Sequence, residues 1–241
     1  MKFYEAIAKY YDAIFPLKKA QLTAMIKITG TPPARILDLA CGTGSYSLAL
    51  AEKGYDVTAS DLDSNMIDQL RVKQNDSKYP MDVKQFNMKE VAEKVSDKYK
   101  TVICIGNSLV HLNSFDDTLV CLKGIKEVLE PDGKCLIQIV NYDRIIYHLV
   151  SSLPTITNDE ENLSFKRLYT FSEEDYRITF KGVLEVNDYH SSEETILLPI
   201  KSEKLVELLH AAGFEKVSLY GGFDFSPFLA LESMALVVVA E

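Results

Sequence analysis

The residues with the most chemical content lie between Ile36 and Asp63, around the turn Asp38-Leu39-Ala40-Cys41-Gly42-Thr43-Gly44. An acid opens this turn and two glycines follow at spacing two, Gly42 and Gly44. Glycines so placed let the chain bend tightly and let a ligand come close to the backbone. The helix that follows offers free N–H donors at its amino terminus. A second acid, Asp61, closes the next strand and presents two acceptor oxygens at one point, which suits the paired hydroxyls of a ribose. Together these residues point to a nucleoside-type ligand. Asp63 is a rival acid two residues on, but its place before Ser64-Asn65-Met66 fits an N-cap.

Polar residues directly after buried strands supply the other candidates, because ligands of doubly wound folds bind at the carboxyl edge of the sheet. The segment QFNMKEV carries Asn87 and Met88, and GNSLVHL carries Gly106, Asn107, Ser108 and His111. Two roles are open to His111, proton acceptor or structural hydrogen-bonding residue. The histidines (His111, His148, His190, His210) and cysteines (Cys41, Cys104, Cys121, Cys135) form no HxxxH, HExxH or CxxC pattern, so no metal site is expected.

The elements that must hold these residues are legible in the patterning. Ile36, Leu37 and Leu39 form a first strand, Tyr46 to Leu50 begin a helix, and strands follow at Tyr55–Ser60, Met81–Phe86, Lys100–Ile105 and Lys134–Val140. Helices are expected over Ser64–Val72 and Phe115–Leu129, the second stopped by the turn Pro131-Asp132-Gly133. Such alternation predicts a parallel sheet covered on both faces. Two helices precede it, one over residues 3 to 13 and one from Leu17 to Ile28. After residue 140 the pattern changes to a helical fragment (Tyr142 to Ser151) and period-two segments, LSFKRLYTF, YRITFKGVLEV and EETILLP, which read as antiparallel strands. A helix from Lys201 to Ala212, with Ser202 as N-cap and Gly213 as stop, and strands at Glu215–Tyr220 and Ser233–Ala240 complete the chain.

Length and composition suit one α/β domain carrying an insertion: 241 residues, 47% hydrophobic and 25% charged. A net charge of -9 without a dense Lys/Arg run argues against nucleic acid as partner. The amino terminus lacks a secretory pattern and no stretch of 18 apolar residues occurs, so no membrane partner is expected and the thiols are read as reduced, in the cytoplasm.

Spacing separates two ligands that such a turn commonly holds. The dinucleotide fingerprint needs a third glycine where this chain has Tyr46 and Ser47, and a bulky tyrosine there counts against a pyrophosphate. Asp38 to Gly44 instead resembles the first motif of class I S-adenosylmethionine-dependent methyltransferases, with Ala40 where the family pattern has glycine. The resemblance implies that Asp38 orders the turn and the methionine amino group, and that the Ala40 and Gly42 backbone, with Gly44 completing the pair, lies against methionine and ribose. It makes Asp61 the ribose-binding acid, with Leu62 and Met66 flanking the adenine. Asn87 stands where the family often has an acid; its amide oxygen can still accept from the exocyclic amine, or it is an ordinary loop residue. Met88 would add its N–H and an apolar edge.

GNSLVHL is similar to the corresponding segment of glycine and sarcosine N-methyltransferases, where it lies beside donor and acceptor. That resemblance makes Gly106, Asn107 and Ser108 cofactor candidates and His111 and Asn107 catalytic ones. AKYYDAIF resembles the amino-terminal helix of this subgroup and selects Tyr11 for cofactor and catalysis, with Tyr4 and Tyr10 behind it. NYDRII, Asn141 to Ile146, also matches, but the arginine that clamps the amino acid carboxylate in those enzymes is Val140 here. Arg144, Arg167 and Arg177 are replacements that the sequence does not position.

The expectation is a Rossmann-like class I methyltransferase fold of the α/β class. Its seven-stranded, mostly parallel sheet (residues 31–140 and 199–241) has an antiparallel last strand, a helical cap over residues 1–30 and an antiparallel lid over 141–198. The expected reaction is in-line displacement of the methyl of S-adenosylmethionine by a small-molecule acceptor, an amine first, with His111 or a tyrosine hydroxyl taking its proton. The expected assembly is a monomer or homodimer. Two alternatives stand beside it: a nicotinamide-dependent oxidoreductase, and a cofactor-binding module without catalysis.

Overall fold

The computed structural model describes residues 7–241. A seven-stranded sheet runs in the order β10-β11-β5-β4-β1-β2-β3, and a separate four-stranded sheet in the order β6-β7-β8-β9. The first comprises β1 (Arg35–Leu39), β2 (Asp56–Asp61), β3 (Asp82–Gln85), β4 (Tyr99–Cys104), β5 (Leu129–Val140), β10 (Val217–Tyr220) and β11 (Ala235–Ala240). Pairings β1–β2, β1–β4, β2–β3 and β4–β5 are parallel, whereas β11 runs antiparallel to both β5 and β10. The expected fold class is therefore observed, with β11 as the one reversed strand of this sheet.

Continuous apolar runs make this sheet double-sided. Ile36, Ile103 and Leu136 pack with Met25, Leu50 and Val57 on one face, while Leu37, Val102 and Ile137 pack with Leu122, Ile125 and Leu205 on the other. The helices that cover it are α2 (Lys19–Thr29), α3 (Ser45–Glu52), α4 (Ser64–Asn75), α6 (Phe115–Val128) and α8 (Ser202–Ala211); shorter ones are α1 (Tyr11–Ile14), α5 (Val91–Lys94) and α7 (Tyr142–Tyr147). Asp63 caps α4, accepting from Asn65 N–H at 2.9 Å. Ser202 does not cap α8: its own N–H donates to Asp143 Oδ2 at 2.8 Å, so a carboxylate from the first turn of α7 caps that helix.

Three local expectations change. Pro131-Asp132-Gly133 lies inside β5 as an excursion, where pairing jumps from Tyr99↔Leu129 to Thr101↔Lys134. The helical fragment after β5 stops at Tyr147. The inserted sheet has four strands, β6 (Ser152–Asn158), β7 (Leu163–Ser172), β8 (Arg177–Val186) and β9 (Tyr189–Leu197), of which β6 was not legible. Pro154 and polar neighbours hide it; β6 is an edge strand, and its register slips between Leu153 and Ile156.

This second sheet closes over the first from the carboxyl-edge side. Leu153, Tyr169, Ile178 and Leu197 join the main core, while Phe165, Leu184 and Val186 pack with Ile7, Ile14 and Met66. No helix among the described residues is long and apolar enough to cross a membrane.

Candidate active site

The turn after β1 is built on left-handed backbone. Ala40 (φ 59°), Gly42 (φ 57°) and Gly44 (φ 73°) all adopt it, which swings the chain across the ends of β1 and β2. The Gly42 N–H donates to Asp61 Oδ2 at 2.8 Å and the Asp63 N–H to Asp61 Oδ1 at 2.9 Å. Each carboxylate oxygen thus holds one backbone hydrogen bond and keeps capacity for a second. Burial pushes the Asp61 carboxyl up, reinforced by the charge of Asp63, and the backbone N–H groups of Asp63, Gly42 and Leu62 oppose that shift. Asp38 is buried and accepts from Ser47 Oγ at 2.5 Å; burial pushes its pKa up to about 6, opposed by the Ser47 hydrogen bond and reinforced by the charge of Asp61.

Two adjoining cavities open here. The smaller, about 100 Å³, is walled by Leu39, Leu62, Met66, Phe86 and Met88 around Asp61 and Asn87, with Gly42 and Ser108 at its margin. The larger, about 450 Å³, runs from Asp38, Gly106 and Asn107 to the inward face of the second sheet. Tyr11, Ala40 and His111 line both. Of the described residues named as cofactor or catalytic candidates, Gly44 alone lines neither. A Cβ there would stand 2.1 Å from Leu70 Cδ1, so Gly44 is the point where α4 packs onto the turn.

The groups at the junction differ in what they have left to offer. The Tyr11 phenol is pushed well above its ordinary value, first by burial and then by the charge of Asp61, so it stays protonated. His111 is pushed down to about 4 by burial and is a neutral imidazole at pH 7. The Asn107 side chain is already engaged: Oδ1 accepts from Val140 N–H at 2.9 Å and Nδ2 donates to the Tyr142 hydroxyl at 3.0 Å. Gly106 N–H donates to Gln138 Oε1 at 2.9 Å, and Ser108 Oγ to the Ile105 carbonyl at 2.8 Å.

The fastening of the amino-terminal segment was not legible in the sequence. Asp12 Oδ1 accepts from Thr43 Oγ1 at 2.5 Å and from Ser45 Oγ at 2.8 Å, and its other oxygen pairs with Lys73. Lys73 also donates to the Thr43 carbonyl at 3.0 Å. This cluster ties α1 to the turn and to α4, and sets Tyr11 against Gly42, where a Cβ would be 3.1 Å from Tyr11 Cε1. Tyr46, whose bulk argued against a dinucleotide, accepts from the Lys18 N–H at 3.0 Å and hydrogen-bonds Gln21. Tyr10 packs on Tyr189 of β9 with centroids 5.8 Å apart; Tyr4 and Phe3 lie outside the described residues.

Of the aromatic residues in the insertion, Tyr169 and Phe180 line the larger cavity, their rings tilted by 43° with centroids 5.4 Å apart. Tyr142 is buried beneath Asn107, and Tyr147 is 67% exposed. Among the arginines, Arg177 donates to the Asn113 carbonyl at 2.7 Å away from the cavities, whereas Arg167 lines the larger one. Among the described residues no cluster of His, Cys, Asp and Glu is arranged to hold a metal ion.

Known proteins resemble this chain in sequence and in fold. The family described as "Methyltransferase domain" matches residues 36–133. A glycine/sarcosine N-methyltransferase of Halorhodospira halochloris is 29% identical over 189 residues, covering 78% of this chain and 68% of the relative. Among solved structures, an S-adenosylmethionine-dependent methyltransferase from Clostridium acetobutylicum ATCC 824 superposes with TM-score 0.81 at 17% identity, covering 99% of this chain and 98% of the other. The CcbJ methyltransferase of Streptomyces caelestis gives TM-score 0.81 at 20% identity, covering 98% and 95%. These structural likenesses establish the fold.

Proposed function

The chain belongs to the class I S-adenosylmethionine-dependent methyltransferases, and from that premise we propose that it methylates an amine of a small-molecule acceptor held between its two sheets. The residues present fit the cofactor. Asp61 is fixed by two backbone N–H groups with acceptor capacity left on each oxygen, as a ribose diol requires. Leu39, Leu62, Met66 and Phe86 give the adenine an apolar slot, with Asn87 and Met88 at its edge. Asp38 and the backbone of Ala40 and Gly42 face the methionine end. When bound, S-adenosylmethionine supplies a methyl group on a sulfonium sulfur that leaves as a neutral thioether.

The chain's own work is then alignment and water exclusion more than acid catalysis. Tyr11 and His111 stand where the cavities meet, one a protonated phenol and the other a neutral imidazole, so neither places positive charge beside a sulfonium. The imidazole is the group suited to accept a hydrogen bond from the attacking amine. Asn107 acts as a positioning residue, holding the loop after β4 against Val140 and Tyr142. An amine acceptor is favoured by the glycine/sarcosine N-methyltransferase relatives. Val140 in place of the clamping arginine argues that glycine itself is not the acceptor.

The observation that carries this reading is the meeting of an acid-bearing nucleoside slot and an aromatic chamber at Tyr11, Ala40 and His111. Family membership sets aside the nicotinamide alternative, and a chamber roofed by Tyr169 and Phe180 suits a substrate better than a docking module. The test is calorimetry with S-adenosylmethionine and S-adenosylhomocysteine, followed by transfer of labelled methyl to a panel of small amines. Micromolar binding of both and label on an amine are expected. Natively folded protein that binds neither, or that labels hydroxyl or carbon acceptors only, would overturn it.

A further inference from the structure

The larger cavity contains a cation without a counter-ion. Along β7 the side chains alternate, with Leu163, Phe165 and Tyr169 buried and Lys166, Leu168 and Thr170 exposed, and Arg167 takes an inward position in that series. Its cross-strand partners are Leu153 on β6 and Gly182 on β8, so the neighbour on one side presents no side chain at all. Arg167 Nη2 donates to the Pro154 carbonyl at 2.7 Å, while its buried Nε has no hydrogen-bond partner. Among the described residues no carboxylate pairs with it. The two acids that line the same cavity are engaged elsewhere, Asp12 by Lys73, Thr43 and Ser45, and Asp38 by Ser47.

An arginine stays charged in such surroundings, and an unpaired charge among Leu153, Tyr169 and Phe180 is unfavourable unless something neutralises it. We propose that Arg167 is the acceptor anchor: it binds a carboxylate on the substrate, so the acceptor is an amine that also carries one carboxylate and an apolar body long enough to reach from Tyr11 and His111 to β7. This rests on the methyl-transfer reading of the cavity. One carboxylate against one guanidinium gives a neutral pair with matched planar geometry. A phosphate dianion would leave negative charge in a chamber that already holds Asp12 and Asp38. The anchor thus replaces, from the inserted sheet, the clamp that Val140 removes from the main one. The aromatic shell at its side selects an acceptor bulkier than glycine.

The direct test is titration of the S-adenosylhomocysteine complex with 3-phenylpropanoate and with the matching neutral 3-phenylpropanamide, which requires no turnover. The carboxylate should bind at least tenfold tighter than the amide, and Arg167→Met should erase that difference while leaving S-adenosylhomocysteine affinity within twofold. Arg167→Lys should restore part of it. Because the variant removes a half-buried cation that has no counter-ion, Arg167→Met should melt at or above the wild-type temperature; a residue present only to brace Pro154 would lower it. Equal binding of acid and amide, or a loss confined to the sulfur ligand, which would assign Arg167 to the cofactor's own carboxylate, overturns the anchor with the methyl-transfer reading intact. Failure of S-adenosylhomocysteine to bind folded wild-type protein would overturn the underlying reading itself.

Discussion

The proposed cofactor cradle and the inserted sheet approach the same junction by opposite means. In the cradle the polar contacts run through the backbone: Gly42 and Asp63 N–H groups fix Asp61, and left-handed residues at 40, 42 and 44 shape the turn. In the inserted sheet the wall is a row of side chains, with Phe165, Arg167 and Tyr169 on β7 registered against Leu184, Gly182 and Phe180 on β8. A backbone-built site is tied to one conformation and hence to a short motif. A side-chain-built wall can be rewritten one residue at a time without disturbing the ladder beneath it. The first suits a ligand that never changes, the second a ligand that distinguishes one enzyme from another.

If the cradle is set by conformation, its most damaging substitution adds a side chain where the backbone forbids one. Gly44→Val places a Cβ 2.1 Å from Leu70 Cδ1 at φ 73°. Overpacking costs about 1–3 kcal/mol and the left-handed backbone about 1–2 kcal/mol more. Urea denaturation should therefore show a loss of about 2–5 kcal/mol. A loss below about 1 kcal/mol would mean that the turn yields and that conformation does not define it. Asp61→Ala is next: removing a charged acceptor of two ligand hydroxyls should weaken cofactor binding by about 2–3 kcal/mol, roughly 30- to 150-fold. Calorimetry checks it, and unchanged affinity would show that the wrong acid was assigned to the ribose.

This contrast also explains what the sequence revealed. Asp38, Gly42, Gly44 and Asp61 are legible because the turn and the next strand end bring them together over a few tens of residues, and apolar runs announce the parallel strands. Even there one role shifted, since Gly44 serves packing against Leu70. The Asp12–Lys73 pair joins two helices far apart in sequence, and no local pattern announces it. The position of β6 was masked by Pro154 at a register slip. For Arg167 a signal did exist. In LSFKRLYTF the apolar phase is Leu163, Phe165, Tyr169, Phe171, and the arginine sits in that phase, as an inward cation on a half-buried strand. Arg144 and Arg177 lack that feature.

A third prediction uses the acidity of Asp38. Its carboxyl is held at about 6 against an ordinary 3.8, so the native protein retains a proton that the unfolded chain has lost between those values. Without cofactor, stability therefore falls as pH rises from about 4 to about 6. A cationic ligand favours the ionised form, so binding below pH 6 must release a proton and weaken as pH falls. From pH 7 to pH 5 the loss should be about tenfold. Calorimetry in buffers of different ionisation enthalpy reads the released proton directly. Asp38→Asn should flatten the profile apart from a residue due to Asp61, whose carboxyl is also pushed up. An unaltered slope would move the proton to another group.

The fastening between cap and cradle gives a smaller effect. A double-mutant cycle with Asp12→Ala and Lys73→Met should yield a coupling of about 1 kcal/mol, since both groups are partly solvated. The same variants should speed dissociation of S-adenosylhomocysteine, because Tyr11 loses its tether over Gly42. Coupling near zero with unchanged dissociation would mean that apolar contacts of Ile7 and Ile14 hold the cap unaided.

The smallest effect is the most discriminating for the cradle. Ala40 holds φ 59°, a conformation glycine adopts freely, and stands where the family motif has glycine. Ala40→Gly relieves about 1–2 kcal/mol of left-handed strain but raises unfolded-state entropy by about 0.4–1 kcal/mol. The net change should be a stabilisation between about 0 and about 1.6 kcal/mol, read as a higher urea midpoint at constant slope, with cofactor affinity within about twofold because no side-chain contact defines the turn. If Ala40→Gly instead loses cofactor affinity tenfold, the alanine methyl at the junction of the two cavities is itself a contact. The division between a backbone-built cradle and a side-chain-built chamber would then have to be drawn on the far side of residue 40.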